Sequence, residues 1–268
     1  MSRILKGVAG ERAFRGATIS ALALLTVFFV GIVVSMLTYT DWNTFVSALL
    51  SKEVLFAIRL SLITATISTI ISILIAIPVA YAISQSRFPG KDIVDSLLDL
   101  PIVVSPVALG AALLVFFNTP IGAGIDDNIK FVFAVPGIIL AQFVVISALA
   151  IRLLKSTFDS IDPRYEQVGR TLGCGKPGAF LKVTLPLAKN GLIAACILTW
   201  ARAVGEFGAT VTLAGATAMK TETLPTAISL SLASADVEKA IAIIFVLIII
   251  AVIALLFMRK ITGRSYRI

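Results

Sequence analysis

Long apolar runs separated by short polar segments dominate the pattern of this chain. A helix needs roughly 20 mostly apolar residues to cross a bilayer. Six runs approach or exceed this length, at residues 17–37, 58–83, 97–117, 131–151, 192–214 and 240–257. The pattern therefore predicts an all-α, polytopic membrane protein with about six transmembrane helices and a transmembrane domain over residues 17–258.

Composition supports the same fold class and narrows the chemistry. Apolar residues make up 58% of the chain and charged residues 14%, whereas a soluble domain usually carries about 25% charge. Histidine is absent, which excludes histidine-based triads, histidine metal sites and imidazole proton relays. The two cysteines are too few for a disulfide framework or a four-thiolate zinc site. We therefore predict no catalytic residue, no metal site and no cofactor in this chain.

The first apolar run follows a basic leader at residues 1–16, which also suits a signal sequence. A secretory signal peptide has a shorter apolar core and a small-residue cleavage site. Here the run is longer, and Tyr39 and Trp42 follow it instead. We interpret the run as a retained first span and residues 1–16 as a cytoplasmic segment.

The placement of lysine and arginine predicts the orientation. With six spans both termini share one side, which holds 17 of the 23 basic residues, against five on the other side. Basic residues favour the cytoplasmic side of a lipid bilayer, so both termini, including the tail at 259–268, are expected in the cytoplasm of a multi-pass plasma-membrane protein. Tyr81 falls at the cytoplasmic interface, where aromatic residues are common. The net charge of +8 then requires no nucleic-acid partner.

The segment at residues 152–191 is longer than a connection between two spans requires. Within it, Asp162 suits an N-cap, Pro163 suits the first helical position, and Gly173 suits a left-handed stop. These signals predict a short cytoplasmic helix over residues 163–172.

The apolar side chains of this predicted helix share one face at helical spacing, and they are Tyr165, Val168 and Leu172. A helix this short is marginal alone in water. Its apolar face therefore rests on the membrane domain or enters a partner's groove, and a surface helix lying along the bilayer is the alternative. The GCGK run at 173–176 lacks the earlier glycine and the Ser or Thr of a phosphate loop, so no nucleotide site is expected in this chain.

The residues after the predicted helix resemble a known motif. Gly173, nine further residues and Val-Thr-Leu-Pro at 183–186 are similar to the cytoplasmic loop of ABC importer permeases, which docks on the ATP-binding subunit. The front of the motif differs in register, since its acidic position falls on Gln167 and Glu166 lies one residue earlier. The resemblance assigns the coupling contact to Arg164, Tyr165, Glu166, Gln167, Val168, Gly169, Arg170, Thr171, Leu172, Gly173 and Cys174.

Two further stretches are similar to the molybdate and tungstate branch of these permeases. WARAVGEFGATVT at 200–212 resembles the fifth-span segment of that branch, and sulfate permeases have a related segment. DLPIVVSPVALG at 99–110 resembles the third span of the same group. The resemblance covers roughly residues 54–260.

The resemblance implies a type I ABC importer permease fold and an assembly of several subunits. Such a permease pairs with a second copy of itself and binds two ATP-binding subunits, which hold ATP and Mg. An extracytoplasmic binding protein delivers molybdate or tungstate. The expected function is alternating-access import of that oxyanion, with the helix at 163–172 coupling transport to ATP hydrolysis.

Polar and helix-bending positions within the apolar runs are candidates for the anion pathway or its gate, and they are Ser105, Pro106, Thr210 and Thr212. The hydroxyls can donate hydrogen bonds, and the proline either kinks its helix for gating or is an ordinary membrane-helix proline. Arg202 and Glu206 stand at i and i+4 and can form an ion pair. Because charges at membrane depth are usually functional, this pair is either a gate or an internal pair that fixes the fifth span.

The residues leave other functions open. The nearest alternative keeps the same machinery and changes the cargo to sulfate, thiosulfate or phosphate. A membrane-embedded enzyme would need converging acid, base or nucleophilic groups, and the apolar runs contain few of them. A passive channel would conduct ions without an ATP-binding subunit.

Overall fold

A computed structural model describes residues 2–39, 42–86 and 88–262, and every regular element in these ranges is helical. The first half contains α1 (Ser2–Tyr39), α2 (Trp42–Leu49), α3 (Lys52–Gln85), α4 (Lys91–Val103), α5 (Pro106–Phe117), α6 (Pro120–Asn128) and α7 (Val135–Asp159). The second half contains α8 (Pro163–Thr171), α9 (Lys176–Ala179), a π-helical turn (Phe180–Thr184), α10 (Leu185–Leu187), α11 (Lys189–Val204), α12 (Gly208–Ala214), α13 (Leu224–Ala233) and α14 (Val237–Thr262). The all-α prediction is confirmed. Met1 and residues 263–268 of the predicted cytoplasmic segments lie outside the described residues.

The number of spans agrees with the sequence. Within the described ranges, four helices are long and apolar enough to cross a membrane: Phe14–Met36, Lys52–Gln85, Val135–Asp159 and Val237–Ile261. Two bent helix pairs raise the possible number to six. About six spans were expected, and the long runs account for them because a continuous apolar stretch can satisfy its backbone polar groups only as a helix in lipid.

The predicted third span at 97–117 is wrong as a single helix. The structure breaks it into α4 and α5, whose axes differ by 108°. Ser105 adopts an extended backbone and its hydroxyl accepts a hydrogen bond from the Ala108 N–H at 3.3 Å, while Pro106 takes the first position of α5. A proline lacks the N–H that would continue the preceding helix, so the chain restarts at this point.

The predicted fifth span at 192–214 is also interrupted. α11 ends at Val204 with Gly205 as its C-cap, and α12 begins at Gly208. The bend of 71° that the structure shows lies earlier, between Lys176–Leu187 and α11. The prediction therefore placed one continuous helix where the chain forms two short ones.

The predicted fourth span at 131–151 is shifted along the chain. Its helix, α7, begins at Val135 because Pro136 suits a helix start, and it continues through residues 152–159. Leu154 and Phe158 keep the helical spacing and are fully buried. The predicted loop at 152–191 is thus helical at its beginning.

The segment before α7 is held by the Asp126 carboxylate. One of its oxygens accepts the backbone N–H groups of Phe131 at 2.7 Å and Val132 at 2.9 Å. The hydrogen bond from Val132 is the main cause that lowers the pKa of Asp126, since it stabilises the charged form. This contact fixes the turn from α6 into α7.

α3 and α7 form the centre of the bundle. Buried alanines follow the inner face of α3 and let the helix backbones approach closely, as small residues do in membrane proteins. The buried side-chain amide of Gln142 on α7 accepts from the Ser68 hydroxyl at 2.9 Å and donates to the Ala203 carbonyl at 3.2 Å. One amide therefore joins α3, α7 and α11.

α13 packs against α3 at the end of the bundle opposite α8. The backbone N–H of Leu224 donates to the Ser61 hydroxyl at 2.7 Å, and both residues are buried. This packing makes α13 part of the bundle.

Candidate functional site

α8 begins through local cap chemistry. An Asp162 side-chain oxygen accepts a hydrogen bond from the Arg164 N–H at 2.9 Å, and Pro163 takes the first helical position. Both features satisfy or remove backbone donors that a helix start leaves without a partner. The sequence predicted this start correctly.

The other end of α8 is a Schellman motif. Gly173 has a left-handed backbone with φ +90°, its N–H donates to the Arg170 carbonyl at 3.1 Å, and the Cys174 N–H donates to the Gly169 carbonyl at 3.2 Å. This pair of hydrogen bonds is the signature of a glycine-terminated helix. The predicted stop at Gly173 is confirmed, with Leu172 as the capping residue.

One face of α8 is tied to the membrane domain by the Glu166 carboxylate. The Tyr81 hydroxyl of α3 donates to both of its oxygens, at 2.8 and 2.9 Å, and the Thr184 hydroxyl of the π turn donates to one of them at 3.1 Å. The Tyr81 ring also lies 4.5 Å from the Phe180 ring and 5.9 Å from the Phe158 ring, centroid to centroid. Glu166 therefore joins α8 to the end of α3 and to the π turn, and the Tyr81 ring continues the contact to the end of α7.

Gly169 lies on the same inward face, one turn further along. A Cβ atom at this position would meet the Val183 side chain at 3.0 Å. The absence of a side chain lets α8 lie close to the π turn, and Gly169 is buried. The inward face of α8 is thus made of a hydrogen-bonded carboxylate and a glycine.

The predicted apolar face points the other way. Tyr165 and Val168 are each 58% exposed and Leu172 is 80% exposed. The remaining predicted coupling residues Arg164, Gln167, Arg170 and Thr171 are exposed too, while Cys174 is half-buried. Within the described residues, this face therefore does not pack on the membrane domain of the same chain. That predicted alternative is wrong. The face is free to contact another molecule.

Replacing Glu166 should release α8 from the membrane domain. In Glu166→Ala, Tyr81 and Thr184 lose their acceptor, and hydrogen bonds to a charged group are worth about 1.5–3 kcal/mol each. We expect faster amide hydrogen exchange over residues 163–172, with α3 and α7 unchanged. Tyr81→Phe keeps the aromatic contacts and loses one donor, so its effect should be smaller. Equal protection in Glu166→Ala and the unmodified chain would contradict this anchoring role.

A second region lies where the two broken spans meet. A Cβ atom at Gly208 would lie 2.9 Å from the Val107 side chain and 3.1 Å from Pro106 Cβ. A Cβ atom at Gly110 would lie 2.8 Å from the Ala209 backbone. α5 and the start of α12 therefore cross in direct backbone contact, and this crossing brings the break before Pro106 next to the break before Gly208.

Glu206 occupies the break between α11 and α12. One carboxylate oxygen pairs with the Arg202 guanidinium at 2.7 Å, and the other accepts the Ala209 N–H at 3.0 Å. The Glu206 side chain is 1% exposed and the Arg202 side chain is 39% exposed. The carboxylate thus caps the start of α12 while it pairs with the end of α11, which are the contacts that an internal ion pair requires.

The three predicted hydroxyls differ in their surroundings. Ser105 is exposed and caps α5, while the half-buried Thr212 donates to the Gly208 carbonyl at 2.8 Å. The Thr210 hydroxyl is fully buried and has no hydrogen-bond partner among the described residues. Pro106 and Thr212 belong to the crossing of α5 and α12, whereas no hydrogen bond within the described ranges joins Ser105 to Thr210.

Sequence reasoning missed the inward anchor of α8. It interpreted Tyr81 only as an interfacial aromatic residue, but the hydroxyl also holds Glu166 across a separation of 85 residues. Thr184 received no role either. The sequence signal for this anchor is Glu166 itself, which lies one residue before Gln167, the acidic position of the motif.

The crossing of α5 and α12 should tolerate no side chain at Gly110. Gly110→Ala brings a methyl group against the Ala209 backbone, and overpacking of this kind costs about 1–3 kcal/mol. We expect a lower melting temperature in detergent. Gly124→Ala on α6 is the matched control, because nothing lies within 4 Å of its added Cβ. Equal melting temperatures for the two variants would show that α5 and α12 can separate at little cost.

Comparison with known proteins decides the family. The family described as a binding-protein-dependent transport system inner membrane component matches residues 72–265. The chain belongs to this family. Among members of related transport systems, a probable molybdenum ABC transporter permease protein of Haloferax volcanii is 33% identical over 245 residues, 91% of this chain and 89% of its own length.

Other similar proteins carry related names. A molybdate/tungstate transport system permease protein of Pyrococcus furiosus is 34% identical, covering 76% of this chain and 79% of the relative. A sulfate transport system permease protein of Synechococcus elongatus is 31% identical, covering 81% and 80%. In solved structures, a chain of the bacterial alginate ABC transporter, crystallised with an alginate pentasaccharide-bound periplasmic protein, has a TM-score of 0.74 at 18% identity, covering 98% of this chain and 96% of that chain. This likeness shows that this chain and the chain of the alginate transporter share one fold.

Proposed function

We propose that this chain is the membrane-spanning permease subunit of an ATP-driven ABC importer for molybdate or tungstate. The cargo is supported by relatives named for molybdenum, molybdate or tungstate transport, which align over most of the chain. The resemblance of residues 99–110 and 200–212 to that branch points the same way. The family membership supports a transport subunit.

The observation that carries the mechanism is the orientation of α8. Its polar face is anchored by Glu166 to Tyr81 and Thr184, and its apolar face is exposed. An exposed apolar face on a short, rigidly held helix suits a groove on a partner. In this proposal the partner is the ATP-binding subunit, which holds ATP and Mg and drives transport through α8.

The rest of the assembly follows from the same proposal. Two copies of the chain enclose the anion pathway, two ATP-binding subunits bind on the cytoplasmic side, and a binding protein delivers the anion on the opposite side. α8 and both termini then lie in the cytoplasm, in line with the distribution of basic residues. The solved alginate transporter, which includes a periplasmic protein, supports this arrangement by its fold.

The cargo makes a closed polar pathway necessary. Moving one ion from water into low dielectric costs on the order of 20 kcal/mol by the Born estimate, so a divalent oxyanion cannot cross lipid. The crossing of α5 and α12, with Thr210, Thr212 and the Arg202–Glu206 pair, is our candidate for the segment that opens and closes. ATP-driven movement of α8 shifts the permease between two states that expose this segment to opposite sides.

Sulfate is the second candidate cargo, because a sulfate permease is also 31% identical over 229 residues. Uptake into proteoliposomes that contain the chain, its ATP-binding subunit and its binding protein distinguishes the two. We expect ATP-dependent uptake of labelled molybdate or tungstate that sulfate does not compete away. Preferential uptake of sulfate would overturn the molybdate assignment and keep the machinery.

The same vesicles test the remoter alternatives. The chain reconstituted alone should show no anion flux and no turnover of a substrate. Flux without the ATP-binding subunit would favour a passive channel, and substrate turnover by the chain alone would favour a membrane enzyme. Either result would contradict the proposed division of labour.

A further inference from the structure

Arg152 on α7 binds two carboxylates of another helix. Its guanidinium donates through two nitrogens to both oxygens of Asp99, and its third nitrogen lies 3.3 Å from Asp95. Asp95 and Asp99 stand one turn apart on α4. The Arg152, Asp95 and Asp99 side chains are 33%, 23% and 29% exposed, so the cluster is partly shielded from water. We call these three residues the clasp.

The clasp is a polar contact that holds α4 against α7. No residue of α4, which the structure describes throughout, is buried, and its Leu98 is only partly buried where it packs against the cluster around Phe158. Two carboxylates at i and i+4 repel each other unless a cation lies between them. A guanidinium bound bidentately makes a strong and directional contact, so Arg152 fixes the position of α4 on α7 together with the packing of Leu98.

The clasp lies between the two regions of the candidate site, which are α8 and the crossing of α5 and α12. On one side, α7 continues from Arg152 to Asp159, and α8 begins at Pro163. Glu166 ties α8 to Tyr81 of α3, and the Tyr81 ring lies 5.9 Å from the ring of Phe158 at the same end of α7. A movement of α8 therefore displaces the end of α7 that carries Arg152.

On the other side, α4 leads directly into the candidate gate. α4 ends at Val103, the chain turns by 108°, and α5 starts at Pro106. The first turns of α5 lie against Gly208 and Ala209 of α12. A displacement of α4 is thus passed to the crossing of α5 and α12 through two intervening residues.

We propose that Arg152 is a positioning residue that transmits movement of α8 to the α5–α12 crossing by holding Asp95 and Asp99. This inference rests on the proposed function, since it assigns a path for the coupling between α8 and the gate. The clasp stays closed through the cycle and makes α4 follow α7. Without it, ATP hydrolysis continues while the gate segment no longer follows.

The test measures anion transported per ATP hydrolysed by the complete reconstituted transporter. Arg152→Glu should lower this ratio about tenfold, within the usual range of coupling between sites, while subunit assembly and the ATPase rate stay within about twofold of the unmodified complex. Adding Asp99→Arg to the same chain should restore the ratio, because the guanidinium introduced on α4 would then pair with the carboxylate introduced on α7 and with Asp95. Lys155→Gln is the control, since it removes a nearby cation whose ion pair with Asp159 stays within α7.

A purely structural role would give a different pattern, with assembly and ATPase activity lost together with transport, and that result would overturn the proposal. An unchanged ratio in Arg152→Glu would overturn it as well. If Arg152→Glu does not fold, the milder pair Asp95→Asn with Asp99→Asn removes the charges that Arg152 binds and should lower the ratio in the same way; an unchanged ratio there also overturns the clasp. Failure of the unmodified complex to carry molybdate or tungstate would instead refute the proposed cargo, and the clasp is then measured with the anion that the complex does carry.

Discussion

We expect Leu172→Asp to abolish coupled transport and to weaken binding of the proposed ATP-binding subunit. Leu172 is 80% exposed at the end of α8, and burying a leucine side chain in a partner's groove contributes about 1.5–3 kcal/mol. A carboxylate in its place forfeits that gain, so we expect affinity to fall by about 10–100-fold. Tyr165→Ala on the same face should act in the same direction. Co-purification and uptake into proteoliposomes measure the two effects.

Weaker binding by Leu172→Asp has two possible causes, the loss of the docking contact and a less stable α8, and further variants separate them. An acidic residue at a helix C-terminus is unfavourable for the helix dipole, whereas a basic residue is favourable. Leu172→Lys therefore keeps the helix and should still lose the partner. Ser160→Lys is the control, because it places the same cation at the exposed C-cap of α7, outside the apolar face of α8, and should bind as the unmodified chain does. Normal binding by both Leu172 variants would show that the apolar face of α8 is not the docking surface.

We expect Arg202→Met to destabilise the protein and the addition of Glu206→Gln to restore its stability. In the single variant the buried Glu206 carboxylate loses its cation, which costs about 3–5 kcal/mol for a fully buried pair and less here, about 1–3 kcal/mol, because Arg202 remains partly exposed. Glutamine at position 206 carries no charge and its oxygen can still accept the Ala209 N–H. Thermal unfolding in detergent should show a loss of several degrees and its recovery.

Transport by the same variants decides between the two roles of the pair. Full transport in the recovered double variant indicates that the pair only joins α11 to α12. A double variant that is stable but does not transport indicates that the charges act on the anion or on the gate. Equal stability of the single variant and the unmodified protein would contradict the ion pair itself.

Local chemistry explains which predictions succeeded. The bounds of α8 follow from Asp162, Pro163 and Gly173, because a cap is decided by residues within one turn of it. The spans follow from the length of the apolar runs. These signals are contained in contiguous sequence, so no knowledge of distant neighbours is needed.

The breaks in the third and fifth spans and the inward anchor of α8 are of another kind. Proline and glycine are common inside membrane helices, so Pro106 and Gly205 do not by themselves reveal a break. The contacts of Glu206 with Arg202 and with the Ala209 N–H are local, but the close approach of α12 to α5 at Gly208 is not. Tyr81 and Glu166 are 85 positions apart, and Asp99 and Arg152 of the clasp are 53 positions apart. No periodicity in the sequence links either pair.

The π-helical turn at Phe180–Thr184 sets a length requirement on the chain. A π turn accommodates one more residue than an α-helical turn, and Thr184, its last residue, donates to Glu166. Deleting one residue from this turn would restore an ordinary helix and rotate the residues on one side by about 100° relative to the other. The threonine hydroxyl and the Phe180 ring would then no longer face Glu166 and Tyr81 together. We therefore expect a homologue that is one residue shorter at this turn to use a different donor in place of the Thr184 hydroxyl.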